Sequence, residues 1–182
     1  MNTMRLFFAI DINPTSQQQI ADWRDNTFGG LFKVIPATNF HLTLAFLGAT
    51  QDTQLTRLMA IAAHLSEQYK THNPLITATF DCYARFNKPK VLYIGMRQHC
   101  SAVSELALQL SYHVSNLQIN QVEQAYTPHI SLYRKANYLP ANKPPPEIHI
   151  PVQSFSLYQS ISALDNASGH VQYRALKRWS LC

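Results

Sequence analysis

Two short apolar stretches carry the same polar pattern 88 positions apart, and this repeat constrains the fold more than any other feature of the chain. The first, "HLTL", begins at His41, and the second, "HISL", begins at His129. On a strand, residues two apart share one face and lie about 6.6 Å apart, because each residue advances roughly 3.3 Å. Each stretch therefore predicts a strand that turns leucine or isoleucine to the core and a histidine and a hydroxyl to the other side.

The tripeptide His-x-Ser/Thr alone is not specific, because three further copies occur in the chain. They are His64 with Ser66, His99 with Ser101, and His113 with Ser115. Two of them fall within predicted helices, where residues two apart point roughly 200° away from each other, and the third stands at a polar helix start. We therefore expect helix-surface or helix-cap residues at all three. For one strand pair, a hydrogen-bonded core histidine is the simpler explanation; two pairs at corresponding places in two similar halves favour one shared site.

Apolar periodicity and turn residues predict strands and helices that alternate through two halves of the chain. Asn13 and Pro14 are typical of a helix start, and "GG" at 29 and 30 of a helix end. The predicted strands are 5–12, 40–47, 75–86, 90–96, 129–134, 152–162 and 171–181. The predicted helices are 14–28, about 52–70, and a third that is marked by apolar residues from Val103 to Leu117. The proline-rich stretch 139–147 predicts a surface loop. The pattern as a whole indicates an α+β protein.

The bulk properties predict one domain, residues 1–182, with an anionic partner. The 182 residues suffice for one buried core, and a formal net charge of +5 without Lys/Arg blocks suits a phosphate-bearing ligand. Three widely spaced cysteines without a CxxC pair indicate neither a disulfide framework nor a zinc site. Asp11 interrupts the first apolar stretch before it reaches the length of a secretory signal, and no segment approaches the roughly 18 apolar residues that span a bilayer. We therefore expect a cytoplasmic protein that does not contact a membrane.

The two histidine stretches look like the paired signatures of the two-histidine phosphoesterase superfamily. Further segments, in order from residue 4 to about 181, resemble the bacterial RNA 2′,3′-cyclic phosphodiesterases, also called LigT or 2′-5′ RNA ligases. They are "MRLFFAIDI", "NFHLTLAFLG", "VLYIGM", "YTPHISLYR", "FSLYQS" and "LKRW". Two positions depart from the family pattern. Lys33 is followed by Val34 where family members commonly carry Arg/Lys-Trp, and Ser131 stands where many relatives have threonine.

The resemblance implies an architecture, a reaction and a partner. The architecture is two pseudo-symmetric lobes, each an antiparallel β-sheet with outer helices, which enclose a central active-site groove. The reaction is metal-independent opening of a terminal RNA 2′,3′-cyclic phosphate to a 2′-phosphate, with weak reversible 2′-5′ joining of RNA ends, and it requires no cofactor. The expected partners are RNA 3′ ends that carry a cyclic phosphate, on tRNA-like or short RNA, and the expected state is a monomer.

This reaction assigns roles to the residues of the two motifs. Hydrolysis needs one group that takes a proton from water and another that gives a proton to the leaving oxygen, and imidazole titrates near neutrality. We assign His41 provisionally as general acid for the leaving 3′ oxygen and His129 as general base. Thr43 and Ser131 are expected to donate hydrogen bonds to the non-bridging phosphate oxygens. Arg134, at the end of the second strand, is a further candidate for phosphate binding.

Some assignments and alternatives remain open at this stage. Four aromatic residues flank the motifs, namely Phe40, Phe46, Tyr126 and Tyr133. Phe40 and Tyr126 are taken as the candidates for stacking a terminal base, although most aromatics beside strand motifs belong to the core. A small cyclic phosphate, such as a cyclised nucleotide or an ADP-ribose derivative, is an alternative substrate. A non-catalytic module that binds RNA ends is a further alternative. Metal binding by the histidines is disfavoured, because no carboxylate or cysteine accompanies either motif at ligand spacing.

Overall fold

The computed structural model describes residues 3–72, 76–117, 119, 126–162 and 171–182. Within these residues it contains ten strands, three α-helices and one 3₁₀ turn. The strands are β1 (Thr3–Asp11), β2 (Lys33–Val34), β3 (His41–Gln51), β4 (Ile76–Phe80), β5 (Cys82–Phe86), β6 (Val91–Gly95), β7 (His129–Arg134), β8 (Ile148–Val152), β9 (Ser154–Ile161) and β10 (Gln172–Ser180). The helices are α1 (Pro14–Phe28), α2 (Asp52–His72) and α3 (Ser101–Ser115), and the 3₁₀ turn is Ala37–Asn39.

Two four-stranded antiparallel sheets each contain one histidine strand. The first sheet has the order β10-β9-β1-β3 and the second the order β2-β7-β6-β5, while β4 and β8 form a separate antiparallel pair. His41 begins β3 opposite Asp11 at the end of β1, and His129 begins β7 opposite Gly95 at the end of β6. Strands β3 and β7 contact each other. The α+β prediction and the correspondence of the two halves are confirmed.

The apolar faces of the two histidine strands lie in the core, as the alternation predicts. Their core side chains are at most 2% exposed; they are Leu42, Leu44, Ile130 and Leu132. Helices α2 and α3 pack against β3 and against each other, and α1 packs against β8 and the 3₁₀ turn. Helix α3 buries the residues that recur at helical spacing, namely Val103, Leu106, Ala107, Leu110 and Val114. The helices thus cover the sheets and leave the histidine side of the strands accessible.

The first helix begins and ends where the local signals predict. Pro14 is its first residue, and the Asn13 side chain accepts a hydrogen bond from the backbone N–H of Ser16 at 2.8 Å. Gly29 ends the helix with a positive φ of 59°, a conformation that glycine adopts without steric cost. The stretch 139–147 contains no helix or strand, in agreement with the predicted loop.

The prediction of one strand over residues 75–86 was wrong. The segment forms two strands, β4 and β5, which belong to different sheets, and residue 75 lies outside the described residues. Asp81 separates them: its backbone N–H donates to the Gly95 carbonyl at 3.1 Å, and its carboxylate accepts from the Arg97 N–H at 2.8 Å. Both flanks are rich in β-forming residues, so only long-range pairing reveals the break.

Three further strands differ from the prediction. Strand β8 was missed because Pro151 interrupts its pattern, and the structure places it in a two-stranded pair, where proline is tolerated at an edge. Val152 belongs to β8, so the strand predicted over 152–162 begins instead at Ser154. Strand β2 has only two residues, too few to give a periodic signal.

The other His-x-Ser pairs lie on or beside helices, as expected. His64 and Ser66 belong to α2, while Ser101 begins α3 and His113 lies near its end. Ser66 is not a surface residue, because it is 2% exposed and its Oγ donates to the carbonyl of Ser180. Helix α2 packs against β10, which explains this burial. Among the described residues, no helix is long and apolar enough to cross a bilayer.

Candidate active site

The two motif histidines are held in the same way at the start of their strands. Nδ1 of His41 lies 2.7 Å from the carbonyl oxygen of Asn39, and Nδ1 of His129 lies 2.7 Å from that of Thr127. A carbonyl oxygen only accepts hydrogen bonds, so each Nδ1 carries the proton and donates it. In the neutral ring, Nε2 is then the atom with a free lone pair. The structure therefore presents two matched Nε2 atoms for proton transfer.

Burial and nearby charge lower the pKa of both histidines. Desolvation is the main cause for His41 and lowers its pKa to about 4; the positive charges of His129 and Arg134 act in the same direction, against the hydrogen bond to Asn39. Desolvation also lowers the pKa of His129, against its hydrogen bond to Thr127. Both imidazoles are consequently neutral at pH 7 in the empty site. The influence of a charge on His129 on the pKa of His41 indicates that the two rings lie near each other.

A β-bulge follows the hydroxyl residue in both motifs. In the pairing of β1 with β3, Thr43 and Ala45 have partners on β1 while Leu44 is passed over. In the pairing of β6 with β7, Ser131 and Tyr133 have partners on β6 while Leu132 is passed over. An extra residue in one strand reverses the alternation of side chains beyond it. The bulges thus decide which later side chains share the face of the histidines.

The second bulge brings Arg134 to the active-site side. Strict alternation would place Arg134, five residues after His129, on the opposite face of β7. Instead Tyr133 is fully buried, and Arg134 is exposed with its Nη2 donating to the hydroxyl of Tyr173 at 3.2 Å. The ring of Tyr173 in turn contacts the His41 ring, with 4.8 Å between the centroids, so Arg134 lies near the first motif histidine. The sequence prediction of Arg134 thus agrees with its location, while its ligand remains to be tested.

The hydroxyl residues and Tyr126 lie at the junction of the two motifs. Thr43 is 8% exposed and Ser131 is half-buried. The hydroxyl of half-buried Tyr126 donates to the carbonyl oxygen of Thr43 at 3.1 Å, and burial raises the pKa of this phenol. Tyr126 therefore links the segment before the second motif to the strand of the first. Its predicted role in base stacking is untested, and the linking contact was not foreseen.

Phe40 does not offer the stacking surface that the sequence suggested. It is only 3% exposed, and the guanidinium of Arg24 lies over its ring, 5.4 Å from the centroid. Arg24 is itself buried and donates to the carbonyl of Ile35 at 2.6 Å, which keeps the guanidinium in place. The ring of Phe40 is thus covered by α1 and cannot stack a nucleobase, so this candidate was wrong.

Phe46 has the exposed ring that Phe40 lacks. It follows His41 by five residues, as Arg134 follows His129, and a bulge precedes each of them. Its side chain is 59% exposed, and its ring contacts that of Phe7, which in turn lies 5.0 Å from the ring of His41. Phe46 was one of the four flanking aromatics noted in the sequence but was not chosen as a stacking candidate; its equal offset from the motif histidine was the signal that could have singled it out.

Aromatic rings from distant strands surround both imidazoles. The ring of His41 contacts Phe7 of β1 and the edge of Tyr173 of β10, the latter at 4.8 Å between centroids. His129 contacts Phe86 of β5 at 4.8 Å and Tyr93 of β6 at 5.2 Å. These rings cover part of each half-buried imidazole and contribute to its desolvation. These contacts could not be predicted from local sequence patterns, because the rings come from four other strands.

A cavity of about 210 Å³ opens beside His41 and is backed by a polar cluster around Asp11. The Asp11 carboxylate accepts three hydrogen bonds, from Ser154 at 2.7 Å, Ser156 at 3.0 Å and Tyr158 at 2.5 Å, and it forms an ion pair with Arg178 at 3.0 Å. These four contacts with one carboxylate fix β1, β9 and β10 to one another beside the site. Arg178, which sequence alone would place among ordinary surface charges, lines this cavity.

The chemistry of the site is that of two proton-transfer groups with hydrogen-bond donors for an anion. Thr43 and Ser131 supply hydroxyl donors on the histidine strands, two residues beyond each histidine, and Arg134 at the end of β7 supplies a guanidinium. Within the described part of the chain, no group of three or more His, Cys, Asp or Glu residues is arranged to hold a metal ion.

An anion in the site is expected to raise the pKa of His41. In the empty protein, a histidine NMR titration should give a pKa of about 4 for this ring. Bound inorganic phosphate favours the charged imidazolium, so saturation with phosphate should raise the pKa by about 1 to 3 units. His64, exposed on α2, provides the control resonance, which should not respond to phosphate. A His41 titration that phosphate leaves unchanged would mean that the anion binds elsewhere.

The chain is similar in sequence to proteins of one family. A sequence model of the 2′-5′ RNA ligase superfamily matches residues 12–159. The RNA 2′,3′-cyclic phosphodiesterase of Escherichia coli K12 is 33% identical over 180 residues, covering 97% of this chain and 96% of that protein. The RNA 2′,3′-cyclic phosphodiesterase of Thermotoga maritima is 27% identical over 173 residues, covering 86% and 87% of the two chains.

The fold agrees with solved structures over almost the whole chain. The crystal structure of E. coli LigT with 3′-AMP superposes with a TM-score of 0.85 at 31% identity, covering 98% of both chains. A crystal structure described as a phosphoesterase superposes with a TM-score of 0.86 at the same identity and coverage. Sequence and fold thus point to the same relatives.

Proposed function

This chain belongs to the 2′-5′ RNA ligase superfamily, and we propose that it is an RNA 2′,3′-cyclic phosphodiesterase that opens the cyclic phosphate to a 2′-phosphate with His41 and His129 as its proton-transfer groups. The observation that carries this proposal is the matched pair of imidazoles, each with Nδ1 engaged by a carbonyl and Nε2 left free. Each imidazole is accompanied by a hydroxyl two residues further along its strand. Such a site needs no metal ion to activate water.

The proposed reaction is an in-line displacement at phosphorus. Nε2 of His129 takes a proton from water, the water oxygen bonds to phosphorus, and the bond from phosphorus to the 3′ oxygen breaks. Nε2 of His41 gives its proton to the 3′ oxygen, which leaves as a hydroxyl. The hydroxyls of Thr43 and Ser131 donate to the non-bridging oxygens, where negative charge is held during the displacement.

Binding of the substrate favours protonation of the histidine that acts as general acid. In the empty site both rings are neutral, and the negative charge of the cyclic phosphate favours an imidazolium beside it. The assignment of His41 as acid and His129 as base stays a prediction. The pKa of both histidines is lowered, and both make the same kind of hydrogen bond through Nδ1, so the structure does not distinguish them. A 5′-hydroxyl in the place of water would join two RNA ends through a 2′-5′ linkage by the same steps.

The proposal is tested by incubating the enzyme with a short RNA that ends in a 2′,3′-cyclic phosphate and identifying the product. Incubation with EDTA should yield a terminal 2′-phosphate, which chromatography and phosphorus NMR distinguish from a 3′-phosphate. A 3′-phosphate would contradict the assignment of the 3′ oxygen as leaving group. Loss of activity with EDTA would contradict the metal-independent mechanism. Tight binding without turnover would favour the non-catalytic alternative.

A further inference from the structure

Two cations stand directly opposite each other at the edge of the second sheet. Lys33 of β2 pairs with Arg134 of β7 in the strand register, and both side chains are exposed. Among the described residues, neither forms an ion pair with a carboxylate, and the hydrogen bond of Arg134 goes to the neutral hydroxyl of Tyr173. Like charges directly opposite destabilise a strand pair. This arrangement therefore favours an anion between or beside the two side chains.

The two cations line a cavity of about 60 Å³ that is separate from the cavity beside His41. Tyr173 stands between the two cavities: its ring edge contacts the His41 ring, and its hydroxyl accepts the hydrogen bond from Arg134. Asn39 also lines both cavities, and its carbonyl oxygen accepts the proton of His41 Nδ1. The cation pair thus lies next to the reacting position, with one aromatic ring in between.

The small cavity suits a phosphate group better than a nucleoside. Its charged lining is wholly cationic, and its volume is too small for a base and a ribose. The guanidinium of Arg134 is held at one end by Tyr173, which leaves its other N–H groups free to contact an oxyanion. An anion bound here would be the second phosphate of the substrate. The first is the cyclic phosphate that reacts, and the second is attached to the other side of the same nucleotide.

We propose that Lys33 and Arg134 bind the phosphodiester on the 5′ side of the terminal nucleotide, so that the enzyme prefers the ends of RNA chains to small cyclic phosphates. This inference rests on the proposed function and names its substrate class. It assigns Arg134 to the neighbouring phosphate rather than to the reacting one. The hydroxyls of Thr43 and Ser131 then remain as the donors to the reacting phosphate.

Three substrates that differ only at the 5′ side test the subsite. They are cytidine 2′,3′-cyclic phosphate, the dinucleotide CpC with the same cyclic end, and that dinucleotide with a neutral methylphosphonate linkage. Wild type should show a kcat/KM about tenfold or more higher on the charged dinucleotide than on the other two, the effect of one charge-assisted hydrogen bond. Lys33→Met should reduce this preference for the charged linkage. Lys70→Met, on α2, is the matched control and should keep it.

The outcomes separate this inference from the proposed function. Equal kcat/KM for the charged and neutral linkages, or an equal effect of Lys33→Met on both, would overturn the subsite while the enzyme remains a cyclic phosphodiesterase. Absence of turnover on all three substrates would instead overturn the proposed function. Calorimetric titration of the same compounds would then decide on the subsite, because equal Kd values for the two linkages would refute it.

Discussion

Replacement of His129 or His41 by alanine is expected to lower kcat on RNA with a cyclic phosphate end by about 10²- to 10⁴-fold, the usual contribution of a general acid or base. Each variant removes an Nε2 atom that the structure leaves free for proton transfer. Because acid and base act on the same displacement, the double variant should lose little more than the more damaged single variant. Single-turnover rates at saturating substrate measure the effect, with circular dichroism as the check on folding.

The chain offers its own control for this experiment. His64→Ala removes a histidine from the same His-x-Ser pattern on an exposed helix position and should leave kcat unchanged. His129→Gln keeps a polar side chain in the site if alanine prevents folding. Wild-type turnover in a folded His41 or His129 variant would refute the two-histidine mechanism.

Removal of the motif hydroxyls is expected to have the second largest effect. Thr43→Val and Ser131→Ala should each lower kcat by about 10²- to 10³-fold, as the loss of one preorganised donor to a developing oxyanion does. The hydroxyl acts on charge that grows in the transition state, so KM should change little. Thr43→Ser and Ser131→Thr keep the donor and should retain most of the activity. Steady-state kinetics on the four variants provide the measurement.

A buried threonine on the same strand provides a control that distinguishes an effect on catalysis from an effect on stability. Thr50 is fully buried on β3, and its Oγ1 donates to the carbonyl of Gly48 at 3.3 Å. Thr50→Val should lower the melting temperature without lowering kcat. If Thr43→Val behaved like Thr50→Val, with a loss of stability alone, Thr43 would be a structural residue and the assignment of its hydroxyl would be wrong.

The parts of the fold that were predicted from sequence depend on local signals. The bounds of α1 follow from Asn13, Pro14 and Gly29, which act on the helix ends beside them. The histidine strands follow from period-two alternation around one core face. The break at Asp81 could not be predicted, because the two flanks resemble each other and only their partners β8 and β6 assign them to different sheets.

In the candidate site too, residues set by local patterns were predicted, and residues set by long-range contacts were not. His41, Thr43, His129 and Ser131 were predicted because each pair shares a strand. The burial of Phe40 depends on Arg24, which lies on another element. The exposure of Phe46 depends on a bulge at Leu44, which is visible only in the pairing of β3 with β1. The aromatic rings around the histidines come from strands far away in sequence. Site residues that come from different sheets produce no periodic pattern in the sequence, so they cannot be predicted from it.

The paired bulges bear on how the enzyme chooses between two oxygens. A 2′,3′-cyclic phosphate is nearly mirror-symmetric about phosphorus, and the centre of the site is nearly symmetric as well, with a histidine and a hydroxyl from each sheet. Five residues beyond each histidine the halves differ, with the exposed ring of Phe46 on one side and the guanidinium of Arg134 on the other. A nucleotide chain has different 5′ and 3′ sides, so these two different positions favour one orientation of the chain over the reverse. In the proposed mechanism, regioselectivity therefore originates at the periphery of the site, while the rate originates at its centre.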